Sequence, residues 1–254
     1  AYRALANGGH SGPTSLTPRP KPTPRPALDA RAAFIVSDML ADPLARARTF
    51  GTDSVLATRY WSAVKTGTSK DMRDNWCVGY TSRYTVGVWV GNFSGAPMRD
   101  VSGVSGAAPI WSQFMEFAVP YLTNGSPTPF ARPSGIVDQV VCRLGGTEPT
   151  NECGGEFTEI FAFDQLPLPK SQGLVRQVRI DLWTGYEASD ACDGPTDEKL
   201  TINVQDIWAL KWFETGDGKA WLADHGLDED LDIAPERECQ EGDQQPEVGF
   251  NLSE

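Results

Sequence analysis

Three apolar runs in the first half of the chain alternate in the way that β-strands require. The runs cover residues 59–68, 74–80 and 84–92, and short polar segments separate them. In the third run, valines at every second position alternate with Thr, Gly and Trp, which places the valines on one face of the strand. Because β-branched and aromatic residues dominate and the connections are short, the pattern predicts three consecutive antiparallel strands.

Two segments next to these strands predict helices. Asp29 is a good N-cap for a helix over residues 30–41, which has to stop before Pro43. Pro109 fits the first turn of a second helix, and Pro120 is expected to end it. The apolar side chains of that second helix are expected to lie in the core rather than in a cofactor pocket: Ile110, Trp111, Phe114, Met115, Phe117 and Ala118.

The second half of the chain predicts a smaller, β-rich module followed by short helices. Gly145-Gly146 and Pro167-Leu-Pro169 interrupt its strand-like runs. Residues 224–254 are dense in carboxylates and poor in apolar residues, which predicts a segment that is mobile or loosely held on the surface. The predicted strands are 136–142, 156–163 and 174–182, and the predicted helices are 203–214 and 219–225.

Net charge changes sign between the two halves. Residues 1–126 carry a net charge of +5 and residues 127–254 carry −17, which together give the −12 of the whole chain. With the turn-forming composition between them, this predicts a domain over 1–122, a linker over 123–134 and an acidic module over 135–254. The acidic module disfavours binding of nucleic acid. No apolar run approaches the roughly 20 residues that span a bilayer, so no direct membrane contact is expected.

The first predicted strand ends in Lys65-Thr66-Gly67, followed by Thr68. Period two places Thr66 and Thr68 on one face, predicted to line a cleft, and Lys65 on the other. Two hydroxyls can bind a substrate carboxylate, Lys65 adds positive charge, and Gly67 lets a substrate approach the backbone closely. The triplet alone also fits an ordinary strand end, so its surroundings decide. The predicted catalytic residues are Lys65, Thr66, Gly67 and Thr68, with Thr66 and Thr68 binding substrate.

The sequence around the triplet that bears on this question lies in segments 61–80, 83–95 and 101–111, preceded in the same order by 2–9, 32–42 and 45–51. These segments resemble the C-terminal part of the transpeptidase domain of a bifunctional class A penicillin-binding protein, most like the 1C type, and K-T-G is one signature of that family. The resemblance implies an α+β fold, with a partial antiparallel sheet like that of penicillin-binding proteins and serine β-lactamases and with flanking helices. The acidic β-rich module resembles, more loosely, the extensions that follow such domains.

Two other signatures of that family, S-x-x-K and S-x-N, are not found in usable form. S-x-N does not occur, and the one S-x-x-K is Ser62–Lys65 on the predicted strand itself. Residues three apart on a strand face opposite sides and lie about 10 Å apart, so Lys65 cannot take the proton of Ser62. We therefore expect the chain to begin between the second and third signatures, consistent with Ala1 in place of Met, and to be inactive alone.

The resemblance implies part of a peptidoglycan D,D-transpeptidase, located in the periplasm and anchored to the inner membrane through a segment outside this chain. Its partners would be the upstream part of the same domain and, through the complete domain, stem peptides and β-lactams, with no cofactor and no metal. Lys65 would polarise the serine of S-x-N, Thr66 and Thr68 would hold the substrate carboxylate, and the Thr68 N–H would donate in the oxyanion hole. The alternative is a non-catalytic cell-envelope interaction module carried on a partial transpeptidase fold.

The five cysteines fall into two groups. Cys77 lies inside a predicted strand and is expected to be a buried free thiol. The other four lie in the acidic half, where the extracytoplasmic location implied by the resemblance permits disulfides. Zinc is less favoured, because there is no C-x-x-C and both histidines are remote in sequence. Nearest-neighbour pairing, one of three connectivities, joins Cys142 to Cys153 and Cys192 to Cys239.

Overall fold

The structure is a computed structural model that describes residues 1–17, 23–125, 129–151, 153–204, 206–227 and 231–243. It divides the chain into two compact units, Ala1–Ile136 and Val137–Glu254. Parts of the predicted linker and of the predicted acidic tail, 126–128, 228–230 and 244–254, lie outside the described residues. The predicted domain boundaries stay a prediction.

The first unit opens with short elements that precede its sheet. These are α1 (Tyr2–Ala6), the antiparallel two-residue strands β1 (His10–Ser11) and β2 (Arg25–Pro26), α2 (Ala30–Ala41) and α3 (Pro43–Phe50).

Side-chain caps fix the ends of α2 and α3. The Asp29 carboxylate accepts a 2.8 Å hydrogen bond from the Arg31 N–H, so the predicted helix over 30–41 is confirmed with its cap. Helix α3 was not predicted, because Pro43 was interpreted only as a stop signal. Its ring fits the first turn of a new helix, whose start is capped by Asp42 accepting from the Leu44 N–H at 2.8 Å.

The centre of the first unit is a three-stranded antiparallel sheet in the order β3-β4-β5. Its strands are β3 (Ala63–Thr68), β4 (Asp74–Tyr80) and β5 (Thr85–Gly91), which confirms the three predicted strands. Within the part of the chain that the structure describes, β3 is the terminal strand of this sheet, and one of its edges has no partner strand.

Helix α4 (Ala108–Thr123) differs from its prediction in two ways. It does not end at Pro120 but continues to Thr123 and closes with Asn124 in the left-handed conformation, since a proline in the last turn removes little helical hydrogen bonding. Its apolar side chains are also not all in the core. Trp111, Met115 and Ala118 are buried, whereas Ile110, Phe114 and Phe117 are 52%, 50% and 76% exposed.

Each face of the sheet has its own buried cluster. On one face, Val64 and Cys77 pack with Trp111 and Met115 of α4. On the other face, Ala63 and Tyr80 pack with Ala6 of α1, and the Tyr80 hydroxyl lies 2.9 Å from the Ser37 hydroxyl of α2. The sheet is therefore covered by helices on both sides of its β3–β4 region, which is an α+β arrangement.

Within the residues that the structure describes, the second unit contains two small sheets and two short α-helices. The predicted strands 136–142, 156–163 and 174–182 are confirmed as β6, β7 and β8. Strand β9 was not predicted, because its first four residues, Thr-Asp-Glu-Lys, are exposed and polar. The elements are β6 (Ile136–Cys142) paired with β7 (Glu156–Ala162); β8 (Val175–Asp181) antiparallel to β9 (Thr196–Ile202), which pairs in parallel with β10 (Asp232–Ile233); and the helices α5 (Ile207–Phe213) and α6 (Gly216–Asp224).

Two disulfides cross-link the second unit. Cys142 is bonded to Cys153 and Cys192 to Cys239, the nearest-neighbour pairing. Cys77 of the first unit is free and buried, as predicted.

Candidate functional site

The K-T-G residues lie at the C-terminal end of the edge strand β3. Because side chains alternate along a strand, Thr66 and Thr68 share the face of Val64, which packs against α4. Lys65 shares the opposite face with Ala63. Lys65 and Thr68 are exposed and Thr66 is half-buried, so all three functional groups can be reached from the end and the free edge of β3.

The ammonium group of Lys65 is held close to its own strand. Its Nζ donates a 2.6 Å hydrogen bond to the Thr66 carbonyl oxygen. No carboxylate among the described residues forms an ion pair with it, so its positive charge is available at the strand end.

A turn from a distant part of the sequence is anchored on the end of β3. This turn, residues 101–107, contains a single π-helical turn, Gly103–Ala107, started by a reciprocal Ser102–Ser105 capping pair. The Gly103 N–H donates a 2.9 Å hydrogen bond to Thr68 Oγ1. The buried Asn75 on β4, directly opposite Thr68, donates from Nδ2 to the Val101 carbonyl at 3.0 Å.

Gly103 can only be glycine at this place. A Cβ on Gly103 would lie 2.7 Å from the Gly67 carbonyl oxygen and 2.8 Å from the Trp76 carbonyl oxygen. These are backbone atoms that cannot move aside, so the absence of a side chain lets the 101–107 turn rest directly on β3 and β4.

The face of β3 that carries Thr66 and Thr68 was predicted to line a cleft, but in the structure it is partly covered. Helix α4 and the 101–107 turn cover much of it, because both pack on the side of Val64. A ligand can approach the hydroxyls of Thr66 and Thr68 along the unpaired edge of β3. Among the residues described, no hydrogen-bond partner contacts the Thr66 side chain.

Neither neighbouring nucleophile is suited to catalysis. Ser62 is 4% exposed, and its hydroxyl lies 2.8 Å from that of Thr58 on the face opposite Lys65. Cys77, paired with Thr66 across β3 and β4, is fully buried, and burial raises the pKa of its thiol to about 12. Both groups stay protonated at neutral pH, and no described residue offers either of them a base within hydrogen-bond reach.

Sequence reasoning missed Asn75 and Gly103. A polar Asn inside an apolar strand and the Val101-Ser-Gly-Val-Ser-Gly106 repeat were visible signals. The contacts themselves could not be read, because Gly103 is 35 residues from Thr68 and Asn75 is 26 residues from Val101.

One group of possible metal ligands occurs in the described ranges. It comprises Cys192, Cys239 and Asp243. Both sulfurs are consumed by the disulfide, so this group does not fit a metal site.

Comparison with known proteins relates the chain to penicillin-binding proteins. No family model matches it. It is 29% identical over 231 residues to penicillin-binding protein 1C of Escherichia coli, an alignment that covers 87% of this chain and 29% of that protein. It is 34% identical over 149 residues to penicillin-binding protein 1A of Pseudomonas aeruginosa, covering 58% of this chain and 18% of that protein. The chain thus spans less than a third of these relatives.

A solved structure of penicillin-binding protein 1A from Haemophilus influenzae superposes on 59% of this chain and 23% of its own, with a TM-score of 0.47 and 18% identity. On the strength of the sequence alignments, the chain is homologous to class A penicillin-binding proteins over their transpeptidase region. Its likeness extends to both the 1C and the 1A types. No helix within the described ranges is long and apolar enough to cross a membrane.

Proposed function

We propose that the chain supplies the K-T-G wall of the active site of a periplasmic peptidoglycan D,D-transpeptidase, and that the nucleophilic serine lies in a preceding segment. The observation that carries this proposal is the free edge of β3, from which the ammonium group of Lys65 on one face and the hydroxyls of Thr66 and Thr68 on the other can be approached. Homology to penicillin-binding proteins supplies the reaction class.

The proposed division of labour follows from charge and geometry. The carboxylate of a stem peptide or of a β-lactam is an anion that two hydroxyl donors and a nearby ammonium group stabilise. Thr66 and Thr68 bind this carboxylate, and Lys65 polarises the serine of S-x-N. The backbone N–H of Thr68 donates to the oxyanion that forms when the serine attacks the penultimate D-Ala carbonyl.

The same residues cannot perform the reaction by themselves. Acyl transfer needs a nucleophile with a base within hydrogen-bond reach. Ser62 and Cys77 are buried and lack such a base. The nucleophile is therefore a serine outside residues 1–254. That serine attacks the stem peptide and forms the acyl-enzyme with release of the terminal D-Ala, and an amine of a second stem peptide then accepts the acyl group.

The test is covalent labelling with a fluorescent penicillin. The chain alone should give no covalent band, and the complete domain with S-x-x-K and S-x-N should give one. In the complete domain, Lys65→Ala should slow acylation by about a hundred- to a thousandfold, corresponding to about 2.7–4 kcal/mol at the transition state. Lys70→Ala is the matched control, because Lys70 is an exposed lysine in the turn after β3 and should leave the rate unchanged.

Two outcomes would contradict the proposal. One is a covalent band on the chain alone, and the other is an unchanged acylation rate in Lys65→Ala. If the gene that encodes the chain has no S-x-x-K and S-x-N upstream of residue 1, the non-catalytic interaction module becomes the better explanation.

A further inference from the structure

We infer that Gly103 is a positioning residue, whose backbone N–H orients the Thr68 hydroxyl so that its proton points to the substrate carboxylate. This inference rests on the proposed function, and it adds to the K-T-G residues a group that lies 35 residues further along the chain. It begins from one hydrogen bond, between the Gly103 N–H and Thr68 Oγ1 at 2.9 Å.

A threonine hydroxyl has two acceptor lone pairs and one donor proton. Without a fixed partner it can turn a lone pair towards an incoming carboxylate, which repels it. The Gly103 N–H occupies one lone pair of Thr68, and no described residue accepts the hydroxyl proton. The hydroxyl proton therefore points away from Gly103, where a ligand can accept it, and accepting a hydrogen bond also strengthens the hydroxyl as a donor.

The 101–107 turn is rigid enough to maintain this alignment. Asn75, fully buried, binds the Val101 carbonyl at 3.0 Å, two residues before Gly103. Gly103 rests on the backbone of Gly67 and Trp76, where even a methyl group would meet carbonyl oxygens at 2.7 and 2.8 Å. The turn is thus fixed at two points, one on each of the strands β3 and β4, and its N–H has little freedom to leave Thr68.

The experiment compares acylation of the complete domain by benzylpenicillin and by its methyl ester, which lacks the carboxylate. The wild-type protein should react much faster with the free acid. Thr68→Val removes the hydroxyl and should lower this preference by about tenfold to 150-fold, the effect expected for a hydrogen bond to a charged group. Gly103→Ala should lower the preference in the same direction, while Thr68→Ser should retain it.

A double-mutant cycle separates orientation from general damage. If Gly103 acts through Thr68, then Gly103→Ala should have no further effect on the acid-to-ester preference once Thr68 is Val. A change that merely loosens the fold should slow the acid and the ester equally. An unchanged preference in Gly103→Ala, or an additive effect in the double variant, would overturn the inference.

A replacement variant and an amide-exchange measurement test the inference if Gly103→Ala does not fold. If Gly103→Ala fails to fold, as judged by reaction of the buried Cys77 thiol, Asn75→Ala replaces it, since it releases the turn at Val101 without adding a methyl group to the crowded site. Amide exchange on the chain itself should show a protected Gly103 N–H that exchanges faster in Thr68→Val. Equal exchange in both proteins would refute the hydrogen bond. Absence of any acylation in the wild-type complete domain would instead refute the proposed function.

Discussion

The packing of Trp111 on the back of the sheet makes Gly79 a sensitive test of the fold. Trp111 is fully buried, and its indole ring lies directly against the Gly79 backbone on β4. A Cβ at Gly79 would sit 2.7 Å from Trp111 Cε2 and 2.9 Å from the Ala63 carbonyl oxygen, and closer still to Trp111 Cζ2. The variant Gly79→Ala therefore overpacks the core on two sides.

The size of the effect follows from these contacts. Carbon atoms pack favourably at about 3.5–4.0 Å, so the indole has to retreat by roughly 1 Å. Met115 and Leu56 share its buried cluster and leave little room for that movement. Overpacking of this kind lowers the free energy of unfolding by about 1–3 kcal/mol. Gly87→Ala on β5 is the matched control, because its Cβ would meet Val78 Cγ2 at an ordinary 3.7 Å and should change the free energy of unfolding little.

The rate of thiol labelling of Cys77 reports the loss of stability in the cluster where the overpacking occurs. Cys77 belongs to the same buried cluster as Trp111 and is the one cysteine outside the two disulfides. A loss of about 1–3 kcal/mol should accelerate labelling in native buffer about fivefold to 150-fold. Trp111→Phe, with its smaller ring, should relieve much of the penalty, and it sacrifices no hydrogen bond because no described group accepts from Trp111 Nε1. Equal labelling rates in Gly79→Ala and Gly87→Ala, or strict additivity with Trp111→Phe, would refute the packing.

Further predictions concern pH, the disulfides and domain organisation. Burial raises the pKa of Cys77 from 9.0 to about 12, so above pH 9 the unfolded chain loses a proton that the folded one keeps. The free energy of unfolding of the first unit should therefore fall as pH rises from about 9 towards 12, and it should fall less steeply in Cys77→Ala. Urea titrations at several pH values measure this dependence, and equal slopes of the free energy against pH in the two proteins would contradict the prediction. Alkylation followed by mass spectrometry should reveal four additional thiols only after reduction, whereas alkylation of all four in the folded, unreduced chain would exclude the disulfides. Replacing Cys192 and Cys239, which are 47 residues apart, should lower the free energy of unfolding by about 4 kcal/mol. Replacing Cys142 and Cys153, which are 11 residues apart, should lower it by about 3 kcal/mol. Limited proteolysis should cut first within residues 123–134, and earliest cuts within 59–92 would show the domain boundary to be wrong.

Local signals explain what could be predicted about the fold. The ends of α2 follow from the Asp29 cap and from Pro43, and the strands around the K-T-G triplet follow from alternation. Helix α3 was missed because the same proline can stop one helix and start the next. Polar strand β9 was missed because its pattern of exposure is not that of a half-buried strand.

The candidate site shows a different limit. The identities of Lys65, Thr66 and Thr68 and their alternation could be read from the sequence, because both are properties of a short segment. The partner of the Thr68 hydroxyl could not be predicted, because it is the backbone N–H of residue 103, a group that every residue type except proline has. Only folding brings it to β3, and only the missing side chain of Gly103 lets it approach.

We propose that this chain contributes one wall of a transpeptidase site whose serine lies upstream. Mapping the acylated residue tests it most directly: the complete protein is treated with benzylpenicillin, digested, and the peptide that carries the adduct is sequenced by mass spectrometry. We expect one adduct, on a serine that precedes residue 1 in an S-x-x-K segment, and none on any serine of residues 1–254. An adduct on Ser62 or on another serine of this chain, or no adduct anywhere in a folded complete protein, would contradict it.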